Sequence, residues 1–216
     1  MNILTAVGTA FLGATLLVGH AFGASSNSAA PANLAPVNAD SKIAKEYGKS
    51  LPPVGYVQFC ARGEVECKTK GGKIERVAMT SEKFDQLNQV NMYVNTKIKP
   101  MSDMDQYGVA DYWTYPVTAG DCEDYQLLKK RYLVELGFAP DELLMTVVFD
   151  ENGDGHAVLT VTADNGDYIL DNRRNEILLW NQTGYKFLKR QSQQDPKIWV
   201  SLQKSVPQIL VGTKTP

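Results

Sequence analysis

Apolar residues recur with the spacing of an amphipathic helix in two segments of the chain. The first spans residues 81–98, where Ser81 is a candidate N-cap and Pro100 prevents the helix from continuing. The second follows Asp121, another good N-cap, and runs to Gly137. Its apolar positions are Tyr125, Leu127, Leu128, Tyr132, Leu133 and Leu136. The pattern therefore predicts two helices.

Apolar runs with the length of strands follow the second predicted helix. They cover residues 143–149, 157–162 and 168–170, and turn-forming residues separate them at 150–155 and 164–167. Consecutive strands joined by short turns form an antiparallel sheet. A helix packed on such a meander is an α+β arrangement, which is the fold class we expect.

The chain ahead of the first predicted helix is less regular. Residues 24–40 are rich in small residues and proline without apolar periodicity, which is typical of a flexible linker. Globular sequence begins near Leu51, and the apolar residues Tyr56, Val57 and Phe59 predict a short strand. These features divide the chain into a linker (24–50), a globular domain (51–205) and a C-terminal tail (206–216).

Residues 1–23 have the features of an export signal. No side chain in this segment carries a formal charge at neutral pH, and a short apolar run covers residues 10–18. Ala21 and Gly23 are the small residues that a signal-peptidase site requires, which predicts cleavage before Ala24. A basic n-region is missing, so an uncleaved membrane anchor is the alternative. We expect an exported, periplasmic protein.

Composition and charge argue against a nucleic-acid partner. The chain has 216 residues, of which 44% are hydrophobic, and this is sufficient for a core of its own. The formal net charge is -2 and the basic residues are scattered along the chain. A nucleic-acid-binding protein would need a basic patch or stripe, and none is visible in the sequence.

The cysteines separate into a close pair and a single residue. Cys60 and Cys67 form the pair, and Cys122 stands alone. In an oxidising compartment such a pair can close a small disulfide loop, and half of a zinc site is the alternative. Because there is no second cysteine pair and His20 and His156 are the only histidines, we favour the disulfide.

Cys122 is the candidate nucleophile because it occupies the first position of the second predicted helix. Unpaired amide groups and the helix dipole favour a thiolate there. Asp121, Glu123 and Asp124 oppose this effect, since carboxylates beside the sulfur raise its pKa. We expect either a histidinium partner or a bound cation to neutralise them.

Two further candidates lie on neighbouring predicted strands. His156 opens one strand directly after a turn, and Asp171 ends the next. If residues 165–166 are the centre of a two-residue turn, Asp171 lies opposite Thr160 and on the same face as His156. Four residues of strand, roughly 13 Å, would then separate the two side chains. A bulge, a different turn or a strong bend is needed to bring them into contact.

These candidates fall in three motifs: Gly120-Asp-Cys-Glu-Asp-Tyr125, Gly155-His-Ala-Val158 and Leu170-Asp-Asn172. Together and in this order they resemble the bacterial transglutaminase-like cysteine peptidases, a family that includes periplasmic proteases of the LapG type. The resemblance continues at residues 59–67, 111–116 and 183–196 and covers about residues 51–203.

The resemblance implies a papain-like or transglutaminase-like fold, with the nucleophile helix packed on an antiparallel β-sheet. It also implies a triad. Cys122 would attack a peptide carbonyl and form a thioester, His156 would transfer the protons, and Asp171 would orient the imidazole. The backbone N–H of Cys122 is a candidate oxyanion donor, and a second donor is expected near Trp113.

The resemblance further implies calcium beside the nucleophile, held by acidic residues that flank it. The matching positions are Asp121 and Glu123, with Asp124 a further candidate, and their oxygen ligands suit Ca2+. Helix capping is the alternative role of these carboxylates. Residues 150–155 match the first half of an EF-hand loop, but Val161 takes the place of the last ligand and a strand follows, so this segment predicts a turn.

We therefore expect a calcium-dependent cysteine endopeptidase that cleaves a protein substrate. Family members of the LapG type cut large surface adhesins to release cells from biofilms, and an inner-membrane receptor sequesters them, so the resemblance implies such a substrate and such a partner. Two alternatives stay open. A transglutaminase or deamidase would use the same triad, and a calcium-responsive periplasmic binding protein would keep the fold without catalysis.

Overall fold

The computed structural model describes residues 41–68 and 75–204. Within these ranges the helices are α1 (Val54–Ala61), α2 (Ser81–Lys97), α3 (Asp103–Tyr107) and α4 (Cys122–Glu135). The strands are β1 (Lys49–Ser50), β2 (Lys99–Pro100), β3 (Ala119–Gly120), β4 (Leu143–Phe149), β5 (Gly155–Ala163), β6 (Gly166–Leu170), β7 (Leu178–Leu179), β8 (Lys186–Gln191) and β9 (Trp199–Ser201).

Seven of these strands form one antiparallel sheet in the order β1-β9-β8-β4-β5-β6-β7. The consecutive strands β4, β5 and β6 lie side by side, as expected for strands joined by short turns. β2 and β3 form a separate parallel pair, and β3 leads directly into α4. The predicted α+β fold class is confirmed.

Helix α4 packs against β5 and β4, and α2 packs on α4. Leu127 and Leu133 of α4 are buried in the same apolar cluster as Leu159 and Val161 of β5. Burial of a side chain of this size contributes roughly 1.5–3 kcal/mol relative to exposure. The helix that begins at Cys122 therefore lies on an antiparallel sheet, as predicted, and this packing fixes its first turn relative to β5.

The strand predicted at residues 56–59 is wrong, because this segment is helix α1. Pro53 occupies its N-cap position, and the N–H of Val57 donates to the Pro53 carbonyl at 3.1 Å. Tyr56 and Phe59 are both buried. A spacing of three puts them on one face of a helix, whereas in a strand they would point to opposite faces. The short apolar run by itself did not distinguish the two.

Helix α2 differs from its prediction only at the ends. Its N-cap is Thr80 rather than Ser81, since Oγ1 of Thr80 accepts the N–H of Lys83 at 3.2 Å. The helix ends at Lys97, ahead of Pro100. The apolar periodicity thus located the helix, and the cap geometry shifted its start by one residue.

Residues 41–50, predicted as the end of the linker, belong to the folded domain. β1 is the edge strand that pairs with β9. Ala44 is buried, and its N–H donates to Oδ2 of Asp167 at 3.0 Å. The predicted boundary at residue 51 is therefore too late. The predicted signal peptide (1–23), the rest of the linker and the tail (206–216) lie outside the described residues.

None of the helices in residues 41–68 and 75–204 has the length and apolar character needed to cross a bilayer.

The predicted disulfide between Cys60 and Cys67 is confirmed. It joins the end of α1 to a 3-10 turn, Val65–Cys67, and leaves Cys122 as the free thiol of the described residues. Because both sulfurs are used in this bond, the zinc alternative for the pair is wrong.

The segment at residues 150–155 is a turn, as predicted. Oδ1 of Asp150 accepts the N–H groups of Asn152 and Asp154, each at 2.9 Å, and its Oδ2 lies 2.6 Å from a guanidinium nitrogen of Arg173. The carboxylate that an EF-hand would use as its first ligand is thus occupied by donors from the protein.

Candidate active site

Cys122 is the first residue of α4, as predicted, with Asp121 in the N-cap position. Gly120 determines how the chain enters this helix. A Cβ at residue 120 would lie 2.6 Å from Oδ2 of Asp124 and 3.1 Å from Cβ of Pro116, so only glycine lets the chain pass between them. The sulfur is thereby placed at a helix N-terminus, where unpaired N–H groups favour an anion.

The sulfur of Cys122 lies against an open edge of β5. β6 pairs with β5 from Leu159 onward, so the backbone of Ala157 is free of β6. The N–H of Ala157 donates to Sγ of Cys122 at 3.3 Å, and its carbonyl accepts a bond from Nε2 of Gln126 at 3.0 Å. The first turn of α4 therefore occupies this edge and brings the sulfur next to the residue that follows His156.

His156 and Asp171 are in contact. Nε2 of His156 lies 2.9 Å from Oδ1 of Asp171, and the two side chains are only 6% and 1% exposed. The register of the hairpin explains the contact, because Ala163 pairs with Gly166 and the turn consists of residues 164–165.

The turn predicted at residues 165–166 is thus wrong by one residue. Continued beyond the end of β6, the observed register places Asp171 opposite Val158, two residues from His156. Two residues span about 7 Å, half the predicted separation, and side chains on one face can bridge this distance. Gly166 leaves room for β7 to pack against β6, since a Cβ at residue 166 would lie 2.6 Å from a side chain of β7.

Hydrogen-bond donors surround Asp171. Besides the contact with His156, Oδ1 accepts the N–H of Arg173 at 3.0 Å, and Oδ2 accepts the hydroxyl of Tyr185 at 2.6 Å. Nε of Arg174 lies 3.6 Å from Oδ2. Burial raises the pKa of this carboxyl, but the hydrogen bonds and the charge of His156 outweigh it and lower the pKa to about 2. This anion favours the imidazole tautomer with its proton on Nε2, which leaves Nδ1 as the basic nitrogen.

Sequence reasoning missed Tyr185 and Arg174 as partners of this carboxylate. Tyr185 lies in the 183–196 segment of the family resemblance, and that is the signal that could have found it. Nothing in the sequence near Arg174 indicates which charge it faces.

The thiol of Cys122 is paired with a carboxylate in this structure. Its S–H donates to Oε2 of Glu123 at 3.1 Å. Burial raises the pKa of the thiol well above its ordinary value, and the negative charges of Glu123 and Asp121 raise it further. The predicted opposition to a thiolate is thus confirmed for Glu123 and Asp121.

The second oxyanion donor expected near Trp113 is not its side chain. The indole N–H of Trp113 donates to Oδ1 of Asp111 at 2.8 Å, and the N–H of the next residue, Thr114, donates to Oδ1 of Asp124 at 2.8 Å. Both donors are engaged by carboxylates. The backbone N–H of Cys122 remains the candidate donor at the helix N-terminus.

Three carboxylates converge beside Cys122. Asp103, Asp121 and Asp124 each place one oxygen within 4.8 Å of the others. Asp103 and Asp124 are 2% and 0% exposed. Each of the three carboxylates has one buried oxygen without a hydrogen-bond partner. Burial first, and then the charges of neighbouring carboxylates, raise the pKa of Asp121 to about 6 and that of Asp124 to about 8.

This group of oxygens fits a hard divalent cation. Oδ1 of Asp124 accepts the N–H of Thr114 at 2.8 Å, and Oδ2 of Asp103 accepts the N–H of Tyr112. In Asp103 and Asp124, one carboxylate oxygen is thus anchored to the backbone and the other is unpartnered. Unpartnered carboxylate oxygens at this spacing are the ligands that Ca2+ prefers. Asp121 makes no side-chain capping bond, so the capping alternative does not account for it.

The structure divides the residues predicted to hold calcium between two groups. Asp121 and Asp124 belong to the group just described, and Glu123 belongs to a second one with Asp103 and Asp111. Sequence reasoning missed Asp103 because it lies well before the nucleophile motif, and only the pairing of β2 with β3 brings α3 close to the start of α4.

Comparisons with known proteins give one family and a set of similar solved structures. The sequence profile of a family described as bacterial transglutaminase-like cysteine proteinase BTLCP matches residues 46–206. Among solved structures, Legionella pneumophila LapG is 27% identical, with 55% of this chain and 68% of that chain covered and a TM-score of 0.47. Its calcium-bound form is 25% identical, with 62% of this chain and 77% of that chain covered and a TM-score of 0.48. No curated protein sequence matches the chain.

The matched range includes the whole described domain from β1 to β9 and contains Cys122, His156 and Asp171. It covers well over half of the chain. The chain belongs to the family of bacterial transglutaminase-like cysteine proteinases.

Proposed function

We propose that this protein is a periplasmic cysteine endopeptidase that cleaves a protein substrate with Cys122, His156 and Asp171. One observation carries the proposal: His156 is held by Asp171 at 2.9 Å, and the N–H of the next residue, Ala157, lies 3.3 Å from the sulfur of Cys122. A thiol, an imidazole and a buried carboxylate held in this order on fixed elements are what nucleophilic acyl transfer requires.

In the acylation half of the reaction, Nδ1 of His156 accepts the thiol proton because Asp171 engages Nε2. The thiolate of Cys122 attacks the carbonyl carbon of the scissile bond. The imidazolium then protonates the leaving amine, the C–N bond breaks, and a thioester on Cys122 remains. Proton transfer by a positioned side chain is typically worth 10²–10⁴-fold in rate, and the Asp171 anion stabilises the imidazolium that forms.

Deacylation uses the same groups in the reverse order. His156 deprotonates a water molecule, which attacks the thioester and releases the second product with the thiol restored. In both halves the negative charge on the carbonyl oxygen develops near the start of α4, where the backbone N–H of Cys122 and the helix dipole stabilise it.

We propose that Asp103, Asp121 and Asp124 hold a calcium ion beside this site. The support is their three buried, unpartnered oxygens. A bound divalent cation supplies positive charge, which offsets the carboxylates around the sulfur and so favours the thiolate.

We also propose the location and the partners that the sequence indicates. The signal peptide predicted at residues 1–23 supports export to the periplasm. Membership of a proteinase family supports a protein substrate, and the resemblance of the three motifs to LapG-type proteases supports a large surface adhesin as that substrate and an inner-membrane receptor as regulator.

The Cys122→Ala variant tests the proposal. We expect it to abolish release of cell-surface protein fragments while its unfolding temperature stays close to that of the wild type. The measurement is a proteomic comparison of fragments released by cells with each form. Ser81→Ala, a similar truncation on the exposed side of α2, is the matched control and should cleave normally. Undiminished release by Cys122→Ala would refute the proposal.

Added amine separates the related reactions. A peptidase gives products with new free carboxylates, whereas a transglutaminase joins the amine to the acyl group and a deamidase releases ammonia from glutamine without chain cleavage. A non-catalytic binding protein would give none of these products in the presence of calcium.

A further inference from the structure

Lys129 of α4 is a buried amine that the proposed mechanism does not use. The residue is 0% exposed, and its Nζ has no hydrogen-bond partner within the described residues. Burial lowers the pKa of this amine to about 7, so it gains or loses its proton close to neutral pH. An ammonium group in such a place is stabilised only by the charges that face it, because solvent does not reach it.

Lys129 lies on the side of α4 that faces α2. One turn earlier, the hydroxyl of Tyr125 donates to the carbonyl of Ile98, the residue that ends α2, at 2.5 Å. Three residues later, the ring of Tyr132 lies 5.8 Å from that of Tyr93 in α2. Residues three and four apart share a helix face, so Lys129 points between these two contacts. Its Nζ lies 5.9 Å from the ring of Tyr125.

The same part of α2 holds Asp171. Nδ2 of Asn95 donates to the backbone carbonyl of Asp171 at 2.9 Å. The negative charge of Asp171 acts on Lys129 and favours its protonated form. On its other contact, the carboxylate of Asp171 lies 2.9 Å from Nε2 of His156. Asp171 is therefore one anion that interacts with two buried bases, Lys129 and His156.

The other charged groups near Lys129 are exposed or have partners elsewhere. β3 and β4 carry no charged side chain, and β5 contributes His156. The charged residues of α2 are Glu82, Asp85 and Lys97, which are exposed, and Lys83, whose Nζ lies 4.0 Å from the ring centroid of Phe138. Arg174 lies 3.6 Å from Oδ2 of Asp171, but its side chain is 31% exposed and solvent screens its charge.

The charged residues of α4 itself also lie away from Asp171. Glu123 and Asp124 belong to the first turn, and Glu135 is exposed at the last. Arg131 pairs with Glu66 at 3.3 Å, and Nζ of Lys130 donates to the carbonyl of Leu143 in β4 at 2.6 Å. Within the described residues, Lys129 is thus the fully buried cation that depends on Asp171.

We propose that Lys129 is a positioning residue of the peptidase site, because its ammonium group competes with the imidazolium of His156 for the negative charge of Asp171. Two cations that share one buried anion disfavour each other, and the repulsion is larger in the interior than at the surface. Protonated Lys129 therefore keeps the imidazole neutral, which is the form that accepts the thiol proton. This extends activity toward acidic pH. The inference rests on the proposed function, since it adds a residue to the same site.

The first test follows Lys129 itself and needs no substrate. Protein labelled with 13C at the lysine Cε atoms is titrated between pH 5 and 9 by NMR, and through-bond correlation to the backbone assigns the Lys129 signal. We expect a midpoint near pH 7 in the wild type. In Asp171→Asn the midpoint should fall by about one pH unit or more, because the anion that favours the ammonium is lost.

The second test compares fragment release from cells at pH 6 and at pH 8, in the same concentration of Ca2+. Lys129→Met removes the charge and keeps the length of the side chain. We expect the ratio of the rate at pH 6 to that at pH 8 to fall about three- to tenfold relative to the wild type, since tenfold corresponds to one pKa unit. Lys129→Arg keeps the charge and should restore the ratio. A merely structural role would lower both rates by the same factor.

Lys130→Met is the matched control for Lys129→Met. Lys130 is the next residue of α4 and is also buried, but its Nζ donates to the carbonyl of Leu143. We expect this variant to keep the wild-type ratio of rates. Unfolding curves establish which variants are folded, and if Lys129→Met is not, the titration in Asp171→Asn decides.

The inference is overturned if Lys129 titrates with the same midpoint in Asp171→Asn and in the wild type, or if folded Lys129→Met keeps the wild-type ratio of rates. Failure of the peptidase proposal looks different, because Cys122→Ala would then still release surface fragments. A wild type that cleaves its substrate while the titration of Lys129 does not respond to Asp171→Asn refutes only the role of Lys129.

Discussion

Asp171 and Asp124 are both almost completely buried, yet different groups surround their carboxylates. Asp171 meets an imidazole, a backbone N–H and a phenol, and its pKa falls to about 2. Asp124 has one backbone donor and the carboxylate of Asp121 nearby, and its pKa rises to about 8. Burial alone raises the pKa of any carboxyl group, so the supply of donors decides which form is stable.

The two carboxylates belong to different groups of residues near Cys122: the Asp171 side, with His156 and Tyr185, and the acidic side, with Asp121 and Asp124. The Asp171 side is complete within the described residues, because the protein itself supplies the charges and donors that a permanent anion needs. The side of Asp121 and Asp124 is incomplete without a proton or a cation, since its oxygens are unpartnered. We therefore expect the ionisation of Asp171 to be insensitive to changes in calcium and pH. The ionisation of Asp121 and Asp124 should respond to both.

The largest effect is expected from Asp171→Asn, which removes the carboxylate that holds His156. An amide at residue 171 can donate to Nε2 of His156, which shifts the imidazole proton to Nδ1, the nitrogen that accepts the thiol proton in the proposed mechanism. We expect kcat/KM for cleavage to fall about 10³-fold or more, with the rate of Cys122 alkylation reduced in parallel.

Asp164→Asn in the exposed turn is the control for that substitution, because its side chain accepts the N–H of Met79 at 3.2 Å and an amide oxygen can replace it. Activity of Asp171→Asn within tenfold of the wild type would show that the buried anion is not needed for proton transfer.

A change in pH tests the acidic side, which contains Asp121 and Asp124. In EGTA, the pKa values of Asp121 and Asp124 in the folded protein, about 6 and about 8, lie above their ordinary value of 3.8. The folded state then binds more protons than the unfolded state, so the free energy of unfolding should fall as pH rises through this window. The carboxyl of Asp171 acts oppositely, since its contribution is lost only as pH falls toward about 2.

Thermal unfolding between pH 4 and 8 measures this effect. We expect the midpoint in EGTA to drop by several degrees as pH rises, given that 1 kcal/mol corresponds to about 2–4 °C for a chain of this size. Ca2+ should remove the drop, and Asp124→Asn should reduce it without calcium. A midpoint that rises across this range in EGTA would contradict the raised pKa values.

The smallest effect is expected from Tyr185→Phe, which weakens the Asp171 side without breaking it. The substitution removes the hydroxyl donor at 2.6 Å, and Asp171 keeps its bonds to His156 and Arg173. We expect kcat/KM to fall about tenfold or less, which corresponds to 1.4 kcal/mol in the barrier. A loss as large as that of Asp171→Asn would mean that Tyr185 acts on the substrate itself.

The local elements of the site could be predicted from the sequence. The apolar period located α4 with Cys122 at its start, and the short turns indicated the meander β4-β5-β6. Strand alternation put His156 and Asp171 on one face of the sheet. This holds for both the predicted and the observed turn, because the two registers differ by two residues and side chains alternate with a period of two. The spacing of Cys60 and Cys67 indicated their disulfide.

Contacts between distant segments could not be predicted in this way. α1 was mistaken for a strand because a short apolar run fits both periods. Asp103 was missed because it reaches Asp121 only through packing of α3 against the start of α4. The bond between the thiol and Glu123 depends on side-chain orientation, which the sequence pattern does not specify.

The sequence alone indicated the candidate catalytic residues and the helix and strands that present them, because periodicity and turn residues act over a few positions along the chain. Only the tertiary structure decided which of these residues touch. The turn lies at residues 164–165, one residue before its predicted position, and this register brings His156 to Asp171. Helix α3, from another part of the chain, adds Asp103 to the acidic group. Such distances depend on how whole elements pack, and no single segment encodes them.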